Sequence, residues 1–473
     1  MRAFCFYNKI NPYMRTHVAD TKNKAGETVE LFGWVHSRRD HGKLIFIDLR
    51  DRSGTVQIVF VPQQKDYELA SSLRSEWVLK ITGKVAERPE KMINSEIETG
   101  KIEIQPESLE VLAQAETPPF PLDTDGREIG EEVRLKYSYL DLRRERLQKN
   151  IALRSKFVDA ARQFLFKKGF LEIETPILSA PTPEGSRDFV VPSRLNPGKF
   201  FALPQSPQQY KQLLMVAGFE KYFQIARCFR DEDLRADRGF EHTQIDIEMS
   251  FVGQEDVTAL DEEFTVSVVE SLGYKIKEKP FPVFTYKEAM EKIGADKFDL
   301  RTEEDKKSGV LAYAWVKDFP FFEKDKEGKW TFTHNPFSMA KPEHADWLLK
   351  GDNVGDILTT QYDLICNGVE VGGGSIRAHK PDMLEAVFRI MGYSKESIDR
   401  QFGHMLEAFK FGTPPHGGIA HGVERNLMTL LGEDYLREVV AFPQTSSGRT
   451  SVMDAPSELE EKQLKELHLQ VKK

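Results

Sequence analysis

Cysteine is scarce in this chain: Cys5, Cys228 and Cys366 are the only three among 473 residues, and no two form a CxxC pair. A disulfide framework or a structural zinc site needs more cysteines or closer spacing, so the sequence predicts neither and favours a reducing cytosol. No apolar run approaches the roughly 20 residues that cross a membrane, and none near the first residues is long enough to predict a signal peptide. We therefore expect a cytoplasmic protein without membrane attachment.

An excess of positive charge is missing too. The 66 Lys and Arg residues are outnumbered by 75 Asp and Glu residues, which gives a net charge of -9. Since no global charge attracts nucleic acid, any RNA contact must depend on local patches. Internal repeats and low-complexity segments are also absent, and the length predicts two or three globular domains.

The order of strand and helix patterns predicts these domains. Short strands with turn residues between them fill residues 28–115, which indicates an all-β barrel of the OB type within residues 1–116. A proline-rich, acidic stretch predicts a linker or hinge over 117–145. From residue 146 to 473, helical spacing alternates with strands. This pattern predicts an α+β domain with helices flanking a largely antiparallel sheet.

The most informative stretch is FRDEDLRADRGFEHTQIDIEMSF, residues 229–251. Its second half alternates between two sets, Ile245, Ile247, Met249 and Phe251 against Gln244, Asp246, Glu248 and Ser250. The alternation predicts a strand with one buried and one polar face, beside a preceding strand that carries Arg230 and Glu232. An arginine opposite ordered carboxylates suits a site for a polyphosphate and an ammonium group. A solvated, charged hairpin is the alternative.

Two further stretches suggest anion binding. Glu370 and Arg377 bracket three glycines in GVEVGGGSIR, and such glycines in a strand indicate a bulge or the close approach of a ligand. Arg425 falls in the first turn of an apolar-faced helix, where it would strengthen a phosphate site at the helix N-terminus. Gln208 and Lys211 share one helical face and follow a loop with Glu184. Each feature alone also fits a plain structural role.

Together these stretches resemble the class II aminoacyl-tRNA synthetases, and within them the aspartyl-tRNA synthetases of the bacterial type. TPILSAPTPEGSRDF is similar to the first motif and flipping loop, and LPQSPQQYKQLL to the aspartate-binding helix. FRDEDLRADR is similar to the second motif, VEVGGGSIR to a strand that binds ATP and aspartate, and GVERNL to the third motif. The resemblance implies ATP-dependent attachment of L-aspartate to tRNA(Asp) through an aspartyl-adenylate. It also implies a homodimer that uses Mg²⁺ but no zinc or organic cofactor.

The resemblance implies a role for each matching residue. Catalysis would depend on Arg230, Glu232 and Arg425. Aspartate would be bound by Glu184, Gln208, Lys211, Arg230, Asp246, His334 and Arg377. ATP would be held by Arg230, Asp231, Glu232, Glu370, Gly422, Val423, Glu424 and Arg425, with His242 stacking on adenine. Mg²⁺ would be held by Glu370 and Asp363.

The barrel carries its own signal for RNA. Phe46 and Gln57 fall on the outer side of their strands, where an aromatic ring and an amide suit single-stranded bases, and Arg39 adds local positive charge. A second small core around Phe46 is the alternative. The resemblance makes Arg39, Phe46 and Gln57 anticodon readers.

The departures of the sequence from the family's pattern include a missing domain and two substitutions in the second motif. Bacterial members carry an extra domain after the second motif, but here only 60 residues separate Phe251 from Ala312. We therefore expect that domain to be absent and residues 252–310 to be a reduced insertion region. Gly239 and His242 replace a glutamine and a phenylalanine thought to contact ATP, which predicts activity with weaker ATP binding.

Two alternatives stay open. A relaxed enzyme would aspartylate both tRNA(Asp) and tRNA(Asn); His41 resembles that type, whereas Lys91 points the other way. A catalytically silent RNA-binding paralogue belongs to another class of function. The joint presence of Arg230, Glu370, Arg377 and Arg425 argues against it.

Overall fold

The computed structural model describes residues 15–181 and 185–472. These residues form two compact units. One comprises the described residues up to Gly130 together with Tyr139–Gln148, and the other comprises Glu131–Ser138 and the described residues from Lys149 onward. The domain limits expected from composition, near residues 116 and 146, stay predictions.

The first unit is a closed barrel of five strands, which confirms the expected OB-type architecture. The strands are β1 (Thr28–His41), β2 (Leu44–Asp51), β3 (Gly54–Phe60), β4 (Val78–Glu87) and β5 (Ile102–Ala113), with helix α1 (Tyr67–Ser72) between β3 and β4. They pair around the barrel in the order β1-β2-β3-β5-β4. Alternate residues point inward, so Ile45, Ile47 and Leu49 lie in the core.

The second unit is built on an eight-stranded sheet. Its strands are β6 (Leu171–Glu172), β9 (Lys221–Phe229), β10 (Glu241–Ser250), β11 (Val283–Thr285), β12 (Tyr313–Lys317), β15 (Gln361–Cys366), β16 (Val369–Ile376) and β17 (His416–Gly422). The order is β11-β12-β15-β16-β17-β10-β9-β6, and every neighbouring pair is antiparallel except β11–β12 and β6–β9. Two separate hairpins pair β7 (Val190–Pro192) with β8 (Phe200–Ala202) and β13 (Phe322–Lys324) with β14 (Trp330–Phe332).

Helices flank this sheet, as the sequence predicted. The helices that follow the barrel in the described chain are α2 (Glu131–Lys136), α3 (Ser138–Asp141), α4 (Glu145–Lys167), α5 (Gln208–Val216), α6 (Gln254–Ser271), α7 (Tyr286–Lys292), α8 (Glu303–Lys307), α9 (Ala345–Lys350), α10 (Pro381–Ile390), α11 (Lys395–Phe409), α12 (Val423–Leu431) and α13 (Glu461–Glu466). The main core joins Phe157 of α4, Phe264 of α6 and Leu427 of α12 to Ile245 and Ile247 of β10. Among the described residues, no helix is long and apolar enough to span a membrane.

Some details of the sequence-based prediction were wrong. The strand expected in FLEIETPIL is only two residues long, and REVVAFP contains a 3₁₀ turn over Leu436–Val439 instead of a strand. Phe251 does not face the core: its φ of 60° ends the extended backbone just after β10, and it is 68% exposed. Helix α11 had not been expected.

Candidate active site

A polar cleft of about 330 Å³ lies over β10, β16 and β17, beside the N-terminal ends of α5 and α12. The cleft brings together residues from separate motifs of the sequence. It is lined, among others, by Gln208, Lys211, Arg230, Glu232, His242, Asp246, His334, Asp363, Glu370, Arg377, Gly422, Glu424 and Arg425. The predicted aspartate ligand Glu184 lies outside the described residues.

Two of the predicted ATP ligands, Val423 and Asp231, do not line the cleft. Val423 is fully buried in the main core, so any part it takes in ATP binding must come from its backbone. Asp231 lies at the end of the hairpin, where its backbone N–H donates to the Arg187 carbonyl and its carboxylate pairs with the Arg187 guanidinium.

The polar face of β10 is buried instead of solvated, which corrects the expectation of one buried and one polar face. Strands β9 and β17 flank β10, and both Asp246 and Glu248 are fully buried. Arg230 and Glu232 also lie just beyond the end of β9, not within it. A carboxylate is buried only at a large cost unless cations compensate it, so this face needs charged partners.

Those partners are Lys211 of α5 and Arg377, which follows β16. The Lys211 Nζ lies 2.5 Å from Asp246 Oδ1 and 3.2 Å from Glu248 Oε2. Arg377 donates from Nε and Nη2 to the two oxygens of Glu248 at 2.9 and 3.0 Å. Burial opposes ionisation of Glu248, but the two cations outweigh it and hold its pKa at about 2. This end of the cleft therefore holds two cations against two carboxylates.

One oxygen of this cluster has no partner. Asp246 Oδ2 is buried and takes no hydrogen bond from the described part of the chain. Burial raises the pKa of Asp246, while the attraction of Lys211 opposes that shift. Buried polar atoms are nearly always paired, so this acceptor suits a cationic ligand group such as an ammonium.

The opposite end of the cleft carries arginines suited to phosphate. Arg425, near the start of α12, lies 3.1 Å from Asp237 Oδ2 and 3.6 Å from Glu370 Oε2. Arg238 pairs with Glu232 at 3.2 Å. The Arg230 Nε is buried and has no acceptor among the described residues, which leaves a donor for a ligand oxygen.

Lys297 is a residue of this site that sequence analysis missed. It lies in the loop between α7 and α8, and its Nζ is 2.8 Å from Glu370 Oε2. The surrounding ADKFDL contains no recognisable spacing, so only the fold could bring this lysine to the cleft. Burial alone would raise the pKa of Glu370, but Lys297 and Arg425 hold it below its usual range.

Asp363 and Glu370 form an acidic pair in neighbouring strands. A Cβ on Gly373 would lie 3.1 Å from Asp363 Oδ1 and 3.4 Å from Glu370 Oε1, so both carboxylates converge on this glycine. Burial and the nearby Glu370 charge raise the pKa of Asp363 well above its usual range. The described residues hold no cluster of three or more metal-binding side chains. Two carboxylates nevertheless fit Mg²⁺, which often binds through one or two carboxylates plus substrate phosphates.

The glycines of β16 serve strand packing as much as the cleft. A Cβ on Gly374 would lie 2.0 Å from the carbonyl oxygen of Gly418 in β17, so the two strands need glycine to approach each other. A bulge, the other expected reason, accompanies them, because the β15–β16 register shifts between Leu364 and Ile365.

Three further predicted residues, His242, Glu424 and His334, line the same cleft. Burial and the nearby Arg230 and Arg425 hold the pKa of His242 well below its usual range, so its ring is neutral. Glu424 accepts from Arg154 at 2.8 Å and from the Thr243 N–H at 3.0 Å, and so joins α12 to α4 and β10. His334 is exposed at the cleft, and its ring packs edge-on against Phe319.

The outer face of the barrel gathers the predicted RNA-binding residues. Phe46 is half-buried outside the barrel core, and the Arg39 guanidinium lies 6.0 Å from its ring centre. Arg39 also pairs with Asp48 at 2.9 Å, and Gln57 donates to Glu103 at 3.3 Å. The His41 ring lies 6.2 Å from that of Phe46. Lys91 is exposed in a 3₁₀ turn over Glu90–Met92.

Comparison with known proteins finds matches to both units. Residues 130–446 match the family of tRNA synthetases class II (D, K and N), and residues 29–112 match the OB-fold nucleic acid binding domain. The chain is 40% identical to the aspartate--tRNA(Asp/Asn) ligase of Rubrobacter xylanophilus, with 97% of both chains covered. It is 41% identical to the aspartate--tRNA ligase of Bacillus licheniformis, with 96% of this chain and 98% of that protein covered.

The lengths of these alignments bear on the expected missing domain. They span 586 and 580 positions, whereas the chain has 473 residues, so more than a hundred positions in each hold a gap in this chain. The relatives therefore carry additional sequence, while the loss of an insertion domain between Phe251 and Ala312 stays a prediction.

Solved structures share the fold. A putative aspartyl-tRNA synthetase from Leishmania major is 20% identical with a TM-score of 0.75, over 94% of this chain and 96% of that one. The asparaginyl-tRNA synthetase from Pyrococcus horikoshii, complexed with asparaginyl-adenylate, is 23% identical with a TM-score of 0.73, over 91% and 98%. At such low identity the likeness establishes the fold alone.

Proposed function

The chain belongs to the class II tRNA synthetases of the aspartate, lysine and asparagine group, and on that basis we propose that it joins L-aspartate to tRNA(Asp). The reaction would consume ATP and pass through an aspartyl-adenylate. The observation that carries the choice of aspartate is the pair of buried cations, Lys211 and Arg377, beside the unpartnered Asp246 Oδ2. This arrangement matches a small ligand with a side-chain carboxylate and an α-ammonium group.

In the first step, the α-carboxylate of aspartate would attack the α-phosphorus of ATP and release pyrophosphate. The attacking carboxylate is already ionised, so no general base is needed, and the protein has to orient the reactants and stabilise developing charge. The free Arg230 Nε would bind the α-phosphate and the reacting carboxylate together. Arg425 would bind the γ-phosphate, Glu232 would hold ATP, and the neutral His242 ring would stack on adenine.

Recognition of aspartate would use the opposite end of the cleft. Lys211 and Arg377 would bind the side-chain carboxylate, with His334 close by, while Asp246 and Gln208 would accept from the α-ammonium group. Asparagine offers a neutral amide to the two cations and would leave them poorly paired. Polar sites reject a ligand that leaves buried groups unpaired by about 10⁴-fold or more.

Asp363 and Glu370 would hold Mg²⁺ with the ATP phosphates. When bound, the ion neutralises phosphate charge and orients the leaving group. Lys297 and Arg425, which contact Glu370, would share in that neutralisation.

We further propose that two copies of the chain form a homodimer. Helix α4 and the edge strand β6 display apolar side chains, including Phe166 and Leu171, which are 49% and 51% exposed. Ile177 and Leu178 are similarly exposed in the segment that follows β6. A soluble protein seldom displays such a set unless another surface covers it, and the mass in solution would establish the assembly.

The barrel would bind the tRNA anticodon for the second step, transfer of aspartate to the terminal ribose. We expect Phe46→Ala to reduce kcat/KM for tRNA charging by about 5- to 150-fold, because a stacked base contributes about 1–3 kcal/mol. Pyrophosphate exchange measured without tRNA should be unchanged, since Phe46 lies in strand β2 of the barrel. An equal loss in both assays would instead make Phe46 a structural residue.

Charging of labelled L-aspartate onto purified tRNA(Asp) and tRNA(Asn) transcripts tests the function directly. We expect tRNA(Asp) to be charged, with an ATP-dependent signal that L-asparagine does not replace. Charging of tRNA(Asn) as well would identify a relaxed enzyme, the type named among the relatives. If neither transcript is charged and no exchange occurs with aspartate, the chain is instead a silent RNA-binding paralogue.

A further inference from the structure

Behind the aspartate end of the cleft runs a chain of three buried polar side chains. Gln208 is the first residue of α5 and lines the cleft, Gln212 lies one turn further along α5, and His416 begins β17. Gln208 Nε2 donates to Gln212 Oε1 at 2.9 Å, and Gln212 Nε2 lies 3.1 Å from His416 Nε2. Gln212 and His416 are fully buried, so ordered partners must satisfy their polar atoms.

The direction of every bond in this chain follows from its far end. His416 Nδ1 lies 2.8 Å from the Pro414 carbonyl oxygen, which can only accept, so Nδ1 carries the proton. Burial lowers the pKa of His416 to about 4, so the ring is neutral and its Nε2 must accept. Gln212 must therefore donate to His416 through its amide nitrogen and turn its oxygen toward Gln208.

The same reasoning determines the orientation of the Gln208 amide. Because Gln212 presents an oxygen, Gln208 must present its NH₂ group to Gln212, and its own oxygen points the other way. That oxygen takes no hydrogen bond from any residue that the structure describes, and Gln208 lines the cleft together with Asp246. A reversed amide would direct an NH₂ group at a cationic ligand.

We propose that His416 and Gln212 are positioning residues that hold the Gln208 amide with its oxygen toward the substrate's α-ammonium group. This inference rests on the aspartate-binding role proposed for Gln208. The pair contacts neither reactant and acts only through Gln208. Its contribution therefore belongs to amino-acid binding and not to ATP binding or to the chemical step.

Pyrophosphate exchange by the full chain tests this role through separate KM values for aspartate and ATP. Gln212→Met removes both amide contacts at nearly constant volume and is expected to raise the KM for aspartate about tenfold, the effect of one lost hydrogen bond to a charged group. The KM for ATP and kcat should not change. Gln209→Met, at a neighbouring buried position of α5 outside the chain of bonds, is the matched control and should alter no constant.

Repeating the Gln212→Met substitution in a Gln208→Glu variant distinguishes an effect on the orientation of the residue 208 side chain from an effect on packing. A carboxylate offers acceptor oxygens in both orientations, so Gln208→Glu has no orientation to fix. In that background Gln212→Met should not raise the KM for aspartate further. An equal rise in both backgrounds, or a loss in kcat at constant KM, would overturn the proposal and leave Gln212 as a packing residue.

Histidine variants provide an independent route if Gln212→Met does not fold. His416→Asn keeps a donor toward Pro414 but lacks the acceptor at Nε2, so the KM for aspartate should rise. His416→Gln can place an oxygen near the Nε2 position and should restore much of the binding. An unmodified chain without aspartate-dependent exchange would contradict the proposed function, whereas normal exchange with an unchanged KM in Gln212→Met would contradict this inference alone.

Discussion

Arg230→Ala is expected to reduce aspartate-dependent pyrophosphate exchange by about 10³-fold or more while the protein remains folded. The Arg230 Nε is a buried donor without an acceptor among the described residues, so its partner should be the reacting ligand and not the fold. Loss of this cation would remove stabilisation where charge develops during attack on the α-phosphorus. Exchange at saturating ATP and aspartate measures the effect on kcat.

Arg235→Ala offers a matched control for this prediction. Arg235 lies in the same hairpin loop, but it does not line the main cleft. Its removal should leave exchange close to that of the unmodified chain. If Arg230→Ala retained exchange at the level of Arg235→Ala, the site would not be where the geometry places it.

Arg377→Leu is expected to abolish detectable binding of aspartate and also to destabilise the second unit. Arg377 and Glu248 form a fully buried two-bond pair, and loss of one partner leaves a buried carboxylate with only Lys211 beside it. Breaking such a pair typically costs about 3–5 kcal/mol. Thermal unfolding measures the loss of stability, and isothermal titration with aspartate measures binding.

The double variant Arg377→Leu/Glu248→Leu separates the two effects. Removing both charges eliminates the unpaired carboxylate, so much of the stability should return, because apolar replacements of buried pairs are often neutral. Binding of aspartate should stay absent. Recovery of binding in the double variant would contradict the role proposed for Arg377.

Local patterns predicted much of this fold because the relevant signals lie close together in sequence. Period-two alternation with glycine turns located the barrel strands, and the same alternation located β10. Alternation could not show which faces are covered, however. The carboxylates of β10 are buried because Lys211 and Arg377, distant in sequence, lie against them.

The site could be predicted to the extent that its residues belong to recognisable motifs. Arg230, Glu370, Arg377 and Arg425 all occur in such motifs, and all line the cleft. Lys297 does not, because a single lysine in an irregular loop carries no periodicity or spacing. The bonds joining Gln208, Gln212 and His416 were also beyond prediction, since they connect α5 to β17 across 204 residues.

The ion pairs around Asp246 and Glu248 mean that a ligand bound there would have to exchange partners with the protein. Lys211 and Arg377 already hold carboxylates of the protein, so an incoming ligand gains little by offering charge alone. It must replace the bonds it disturbs on both sides, with an anion for the cations and a cation for Asp246. A ligand carrying only a negative charge would leave Asp246 without a cationic partner. A ligand carrying only a positive charge would leave Lys211 and Arg377 without an additional anion. Discrimination among small acids would therefore follow from the balance of charge among Lys211, Arg377, Asp246 and Glu248.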